Sequence, residues 1–159
     1  MHDKNKRVKL FCLICFVVYM AFLIYYLIFS DCYDRNMANR TYRYNLVLFR
    51  EIRRFWVNRA TLGFRVMFEN IFGNFLGFIP FGFLLPVFFK KMRSFALISF
   101  LSFDFTLMIE LVQLVFRVGI FDVDDILLNT LGGMAGYLLF LAAYGGRLHY
   151  YGRKARKKK

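Results

Sequence analysis

Long apolar runs alternate with short polar segments along the whole chain. The runs predict four membrane-spanning helices, which cover residues 10–29, 66–89, 94–116 and 126–144. The first run has roughly the 20 residues that a helix needs to cross a bilayer. It is too long for the apolar region of a signal peptide, and no small-residue cleavage site follows it. The pattern therefore predicts an all-α integral membrane bundle of four transmembrane helices in a single domain, residues 1–159.

Proline and glycine positions modify the predicted helices. Pro80 lies inside the second run, and because proline removes a backbone donor it should kink that helix or divide it into two half-helices. Gly73 and Gly77 in the second run, and Gly132 and Gly136 in the fourth, are each four residues apart. Small residues at this spacing let two membrane helices approach closely.

The composition agrees with a membrane protein. Hydrophobic residues make up 59% of the chain, whereas a soluble domain has about 45–50% apolar residues. The formal net charge is nevertheless +13, so the charges are concentrated in the polar segments. The three cysteines form no disulfide pattern, and no zinc-ligand or Ser-His-Asp spacing appears. We expect no cofactor, and we expect membrane lipids rather than nucleic acid as partners of the basic residues.

The lysines indicate which segments face the cytoplasm. All nine lie in the N-terminal segment, in the turn at residues 90–93 or in the C-terminal tail. Basic residues before the first run place the N-terminus inside the cell by the positive-inside rule. Four spans then return the C-terminus to the same side. We expect a cell-membrane protein with both termini in the cytoplasm and a basic, mobile tail at residues 147–159.

The same topology places residues 31–65 and 119–125 outside the cell. The first of these segments contains eight arginines, three acidic residues and no lysine. So many external basic residues violate the positive-inside rule. An anionic ligand or surface that holds these arginines outside would explain the violation.

Helical periodicity appears within the external arginine-rich segment. Four apolar residues share one side at helical spacing, namely Leu48, Ile52, Phe55 and Trp56. Three arginines lie on the other side, at positions 50, 53 and 54. The pattern predicts a short amphipathic helix in the membrane interface. Its arginines would contact lipid phosphates, or they would form a specific site for an anion, which arginine binds through paired hydrogen bonds.

Polar residues also recur at one depth in three of the predicted spans. The outer half of the second span carries Glu69, Asn70 and Asn74, and the outer half of the third carries Glu110, Gln113 and Arg117. The outer end of the fourth span carries Asp122, Asp124, Asp125 and Asn129. A spacing of four puts Asn70 with Asn74 on one helix face, and Asp125 with Asn129 on another. Spacings of three and seven do the same for Glu110, Gln113 and Arg117. We expect these three polar stripes to face one another.

Two explanations of this cluster remain open. In the structural one, polar side chains bridge helices, Asp122 or Asp124 caps the fourth helix, and Glu110 pairs with Arg117 or a loop arginine. In the functional one, the cluster binds a ligand or catalyses a reaction, because ionisable groups inside membranes are costly. Asp104 lies off the Glu110 face, and the pattern assigns it nothing beyond a helix contact.

Four ordered motifs resemble the VanZ-like, or teicoplanin-resistance, family. They are RYNLVLFRE at 43–51, NFLGFIPFG at 74–82, ELVQ at 110–113 and DVDDILLNTLGG at 122–133. The resemblance extends over residues 43–137, with Leu48 where the family usually has proline. It implies a bacterial multi-pass membrane protein linked to lowered glycopeptide susceptibility, and it implies no particular reaction.

Two functions from different classes are consistent with these features. The first is a non-enzymatic envelope protein that binds an anionic lipid, a lipid-linked cell-wall precursor or a lipoglycopeptide. Its candidate ligand-binding residues are Arg43, Asn45, Arg50, Arg53, Arg54, Asn70, Asn74, Glu110, Gln113, Arg117, Asp122, Asp125 and Asn129.

The second function is a membrane enzyme that acts on a lipid-linked substrate. Carboxylate oxygens can hold a hard divalent cation, and a carboxylate with a raised pKa can act as a general base. The candidate catalytic residues are Glu110, Asp122, Asp124 and Asp125. A transporter is less favoured, because four helices leave little room for a pore.

Overall fold

A computed structural model describes residues 2–29 and 42–156 of the chain. Six helices and two very short strands make up these parts. In chain order they are α1 (His2–Phe29), β1 (Tyr44–Asn45), α2 (Arg50–Val57), α3 (Arg59–Leu62), α4 (Phe64–Phe88), α5 (Phe95–Phe116), β2 (Phe121–Asp122) and α6 (Val123–Arg156). A 3₁₀ turn, Lys90–Met92, joins α4 to α5.

Four of the helices are long and apolar enough to cross a membrane. The candidate spans are Leu10–Ile28 in α1, Asn70–Phe88 in α4, Phe95–Phe116 in α5 and Val123–Gly145 in α6. The predicted all-α bundle with four spans is therefore confirmed. The start of the fourth span moves from residue 126 to Val123, because the acidic residues predicted as a turn form the first turn of α6.

The helices bear on two local predictions from the sequence. Pro80 does not divide the second span, since α4 is continuous from Phe64 to Phe88 with Pro80 and Pro86 inside it. Phe78 and Phe81 are buried on either side of Pro80, and their packing stabilises the helix although one backbone hydrogen bond is lost. The predicted mobile tail is also helical as far as Arg156.

Glycines allow α6 to lie directly against α4. A Cβ atom added to Gly132 would clash with the backbone oxygen of Phe75, and one added to Gly136 would clash with that of Ile79. The predicted close approach at this pair is confirmed. Gly73 and Gly77 face α1 instead, where an added Cβ would lie 3.5 Å and 3.4 Å from the nearest side chains, which is ordinary packing distance.

Aromatic side chains fill the space between the helices. The rings of Phe81 in α4 and Phe105 in α5 stack with centroids 5.3 Å apart, and Phe78 lies 5.7 Å from Phe105. From α1, Leu23 and Leu27 are buried in the same core. These contacts hold α1, α4, α5 and α6 together as one bundle.

A two-residue parallel pairing joins the segment before α2 to the segment before α6. Tyr44 pairs with Phe121, and Asn45 pairs with Asp122. The NH of Phe121 donates a hydrogen bond of 3.1 Å to the backbone oxygen of Arg43. Strands this short carry no alternating pattern, so the sequence did not predict them. They place Asn45 and α2 beside the beginning of α6.

Candidate functional site

Asp122 is the centre of a buried hydrogen-bond network at one end of the bundle. Its Oδ1 accepts hydrogen bonds from Asn45 Nδ2 at 3.0 Å and from the NH of Asp124 at 2.8 Å. Its own NH donates to Glu110 Oε2 at 2.9 Å. Asn45, Glu110 and Asp122 are each at most 6% exposed. The bond to the Asp124 NH makes Asp122 the N-cap of α6, so the cap predicted for the fourth helix is confirmed at Asp122.

Asp124 caps a different helix from the one predicted. Its carboxylate accepts hydrogen bonds from the NH groups of Phe49, Glu51 and Ile52, at 2.8 Å and 3.3 Å for the last two. These donors lie at the beginning of α2, whose first NH groups have no partner within the helix. Asp124 is 1% exposed. One carboxylate from α6 therefore fixes the N-terminus of α2 and suits its helix dipole.

Burial raises the pKa of the Asp122 carboxyl to about 6. Hydrogen bonds from the Asp124 NH and from Asn45 favour the charged form and lower the pKa in part. The negative charges of Asp124 and Glu51 act in the opposite direction and raise it. Desolvation is the largest of these effects, as expected for a carboxyl group that packing removes from water.

The predicted polar stripes do meet between the helices. Asn74 in α4 donates to Asp125 Oδ1 at 2.6 Å, and Asn129 in α6 donates to Thr106 Oγ1 at 2.8 Å. Gln113 donates to the backbone oxygen of Leu27 in α1 at 2.6 Å. Each of these bonds joins two different helices, as polar side chains in membrane bundles commonly do.

Three predicted site residues are exposed, unlike the residues of the buried network. Arg117 does not continue the face of Glu110 and Gln113, because α5 ends at Phe116 and Arg117 has a left-handed backbone with φ of 54°. Its guanidinium lies 4.1 Å from the centre of the Tyr42 ring. Asn70 is exposed on α4, and Arg43 is exposed before β1. The side chain of Glu69 is outside the described parts of the chain.

Five exposed arginines lie on α2 or close to it in the chain. We call this group the arginine surface, and its members are Arg43, Arg50, Arg53, Arg54 and Arg59. The helix beneath them is attached through Phe55, which is only 8% exposed, whereas Trp56 is 61% exposed. Arg54 forms an ion pair of 2.9 Å with Glu51. Two further arginines of the external segment, Arg35 and Arg40, lie outside the described residues.

One known family matches the sequence of this chain. The model of the VanZ/LLP1 family matches residues 16–144. The chain belongs to this family. It is also 39% identical over 84 residues to Protein VanZ of Enterococcus faecium, and this match covers 51% of the chain and 47% of the relative. The chain thus aligns with about half of that relative's length, and no solved structure matches it.

The VanZ/LLP1 match includes every carboxylate of the buried network, and their geometry indicates what they can do. Among the described residues, no three His, Cys, Asp or Glu side chains come together as ligands of a metal ion. Oxygen atoms of Glu110, Asp122 and Asp124 instead accept hydrogen bonds from backbone NH groups. The network therefore holds α2 and β1 against the transmembrane bundle.

Sequence reasoning missed two features of this VanZ/LLP1 site. It did not predict that Asn45 pairs with Asp122, or that Asp124 caps α2, because both contacts join residues more than 70 positions apart. One feature of the sequence was informative in retrospect. One aspartate is enough to cap one helix N-terminus, and the chain has two here, at positions 122 and 124. The second carboxylate caps a second helix.

Proposed function

We propose that this VanZ/LLP1 protein lowers the susceptibility of a bacterial cell to glycopeptides such as teicoplanin by binding an anionic ligand at the outer face of the membrane. The ligand would bind on the arginine surface. The observation that carries the proposal is the attachment of α2, since the Asp124 carboxylate holds this arginine-bearing helix on the bundle. A fixed helix presents its arginines without the entropy cost of ordering a loop.

The choice of arginine supports an oxyanion as the ligand. A guanidinium group binds a phosphate or carboxylate through two parallel hydrogen bonds, whereas lysine acts as a point charge. Arg50 and Arg53 are exposed on α2, where two such groups can reach one ligand. Phosphate and carboxylate groups occur on membrane lipids, on lipid-linked cell-wall precursors and on lipoglycopeptides.

Exposed apolar residues beside the arginines support a position in the membrane interface. Leu46, Val47, Trp56 and Val57 are each 60–65% exposed. An amphipathic helix with such residues next to arginines can bury its apolar groups at the level of lipid headgroups. Tryptophan in particular favours this depth. In our proposal α2 therefore lies in the outer interface, where it meets the polar end of a lipid-linked ligand.

A susceptibility assay tests the proposal with matched variants. The chain would be expressed in a glycopeptide-sensitive host that lacks it, with or without Arg50→Ala and Arg53→Ala. We expect protection against teicoplanin from the unchanged chain, loss of protection in the double alanine variant and partial loss in the double lysine variant. Lys90→Ala with Lys91→Ala, on the predicted cytoplasmic turn, serves as the control and should protect fully.

A binding assay distinguishes the sources of the anion. The purified protein would be titrated with vesicles of neutral lipid, with vesicles containing anionic lipid, with a polyprenyl phosphate in neutral vesicles, and with teicoplanin alone. Tighter binding to one of these four preparations, weakened in the double alanine variant, would identify the ligand class. Equal binding by both proteins in every arm, together with full protection by the alanine variant, would contradict the proposal.

We do not extend the proposal to catalysis. Glu110, Asp122 and Asp124 accept hydrogen bonds from backbone NH groups, and this role accounts for their burial. Asp125 accepts one from the Asn74 side chain. No observation in the described residues favours a reaction over binding.

A further inference from the structure

Asp104 lies near the middle of a membrane-spanning helix. It is in α5, which runs from Phe95 to Phe116 and has 22 residues. At about 1.5 Å per residue, Asp104 is about 14 Å from the first residue and about 18 Å from the last. The hydrocarbon core of a bilayer is about 30 Å thick. This carboxyl group is therefore close to the membrane midplane.

The side chain of Asp104 points away from the bundle. Ser102 and Thr106, two positions before and after it, are both 0% exposed, and they face the other helices. Two residues along an α-helix correspond to a rotation of about 200°. Asp104 is accordingly exposed, on the same stripe as Phe100 and Met108, which are 61% and 55% exposed.

A carboxyl group at this depth needs a partner. A charged side chain at the centre of a membrane helix costs at least about 2.5–3.5 kcal/mol, and such groups almost always pair. Asp104 makes no hydrogen bond or ion pair with any residue that the structure describes. None of the four candidate spans contains Lys, Arg or His. The described residues therefore supply no partner for Asp104, and a neighbouring chain in the membrane can supply one.

We propose that α5 packs against α5 of a second copy of this chain, with the two Asp104 side chains hydrogen-bonded to each other. Copies inserted in one orientation place their α5 helices parallel and both Asp104 residues at the same depth. One protonated carboxyl then donates to the other carboxylate, which gives a charge-assisted hydrogen bond. The shared proton leaves the pair with one negative charge instead of two, and the two carboxyl groups face each other rather than lipid.

The spacing of exposed residues on α5 fits a parallel helix pair. Leu97, Asp104 and Leu111 are seven residues apart and exposed, and Met108 and Val115 are a second exposed pair seven apart. With Met108 and Val115 at the a positions of a heptad repeat, Leu97, Asp104 and Leu111 fall at the d positions. A polar side chain in this seam can bond only to a polar partner at the same depth, and the matching Asp104 of a parallel copy supplies one.

Subunit counting tests the proposal with the full-length chain. Fluorescently labelled protein would be diluted into neutral phosphatidylcholine vesicles, and the photobleaching steps of single vesicles would be counted. We expect two-step traces for the unchanged chain, loss of these traces in Asp104→Leu and their retention in Asp104→Asn, whose amide can also pair with itself. Leu138→Val, on the exposed face of α6, is the control and should behave like the unchanged chain.

Cysteine crosslinking tests the same interface without altering Asp104. In a chain with Cys12, Cys15 and Cys32 changed to serine, Met108→Cys should form an oxidative dimer and Leu138→Cys should not. Single-step traces for the unchanged chain would overturn the proposal, as would equal crosslinking at both positions. Binding of a monomeric chain to a polyleucine helix with one central lysine would also overturn it and assign this face to a basic partner helix.

Discussion

At the scale of single residues, the two aspartates 122 and 124 have separate tasks although they are only two positions apart. Asp122 caps its own helix and holds Asn45, whereas Asp124 reaches across to the first NH groups of α2. Their positions could be predicted from the sequence, because acidic residues at a helix start are common caps. Their partners could not, since these lie more than 70 residues away and depend on how the bundle closes.

Removal of the Asp124 carboxylate should detach the beginning of α2. In Asp124→Ala, at least two NH groups lose their acceptor in a site that is almost fully buried. We expect a loss of about 1–3 kcal/mol in unfolding free energy, with a smaller loss in Asp124→Asn, which keeps one acceptor. Denaturant titration in detergent measures the loss, and faster tryptic cleavage at Arg53 reports local detachment. Equal stability of both variants and the unchanged chain would contradict this role.

The raised pKa of Asp122 predicts a pH dependence of stability. The carboxyl titrates near 3.8 in the unfolded chain and near 6 in the folded protein, so folding favours its protonated form. The stabilisation that this shift gives the folded protein is complete below about pH 4 and is lost as the pH rises through about 6. We expect the unfolding free energy to fall over this interval relative to Asp122→Asn, which keeps the acceptor and does not titrate. If the unfolding free energies of the two proteins changed in parallel with pH, the predicted role of the Asp122 carboxyl would be contradicted.

At the scale of elements, sequence patterns predicted the long helices well and the short ones poorly. Four apolar runs are sufficient to define four spans, because a helix satisfies the backbone hydrogen bonds of each run within the run itself. Of the two effects predicted for Pro80, division of the helix is wrong, since α4 is continuous from Phe64 to Phe88. The pairing of β1 with β2 was missed because a strand of two residues is too short to show an alternating pattern of apolar and polar residues.

The contact between α4 and α6 predicts a position-specific effect of added methyl groups. Gly132→Ala and Gly136→Ala would each push a Cβ atom into a backbone oxygen of α4, and overpacking of this kind costs about 1–3 kcal/mol. Gly145→Ala, where nothing lies within 4 Å of an added Cβ, is the matched control and should be nearly neutral. Thermal unfolding in detergent compares the three variants. A Gly136→Ala protein as stable as the control would show that α4 and α6 do not touch there.

At the scale of the whole molecule, the orientation in the membrane is a prediction from charge. The lysines mark one side and the arginine surface the other, and only the first pattern obeys the positive-inside rule. The packing contacts within the bundle are the same in either membrane orientation, so they do not determine which orientation the protein adopts. Membrane insertion, rather than any contact within the fold, decides which face is outside.

Labelling of intact cells checks this orientation. In a chain whose native cysteines are replaced by serine, Val57→Cys lies on the exposed end of α2 and Lys91→Cys lies on the turn between α4 and α5. We expect a membrane-impermeant maleimide to label position 57 in intact cells and position 91 only after permeabilisation. The reverse result would place the arginine surface in the cytoplasm and remove it from contact with extracellular glycopeptides.

The long reach of Asp124 also has a consequence for biosynthesis. The NH groups that it caps are 72–75 residues earlier in the chain. A ribosome that adds about 5–20 residues per second needs roughly 4–15 s to make that stretch. The arginine-bearing helix therefore leaves the translocon before its cap exists. It acquires its final N-terminus only when the last span enters the bilayer, so a nascent chain arrested before α6 would carry an unanchored, protease-sensitive α2.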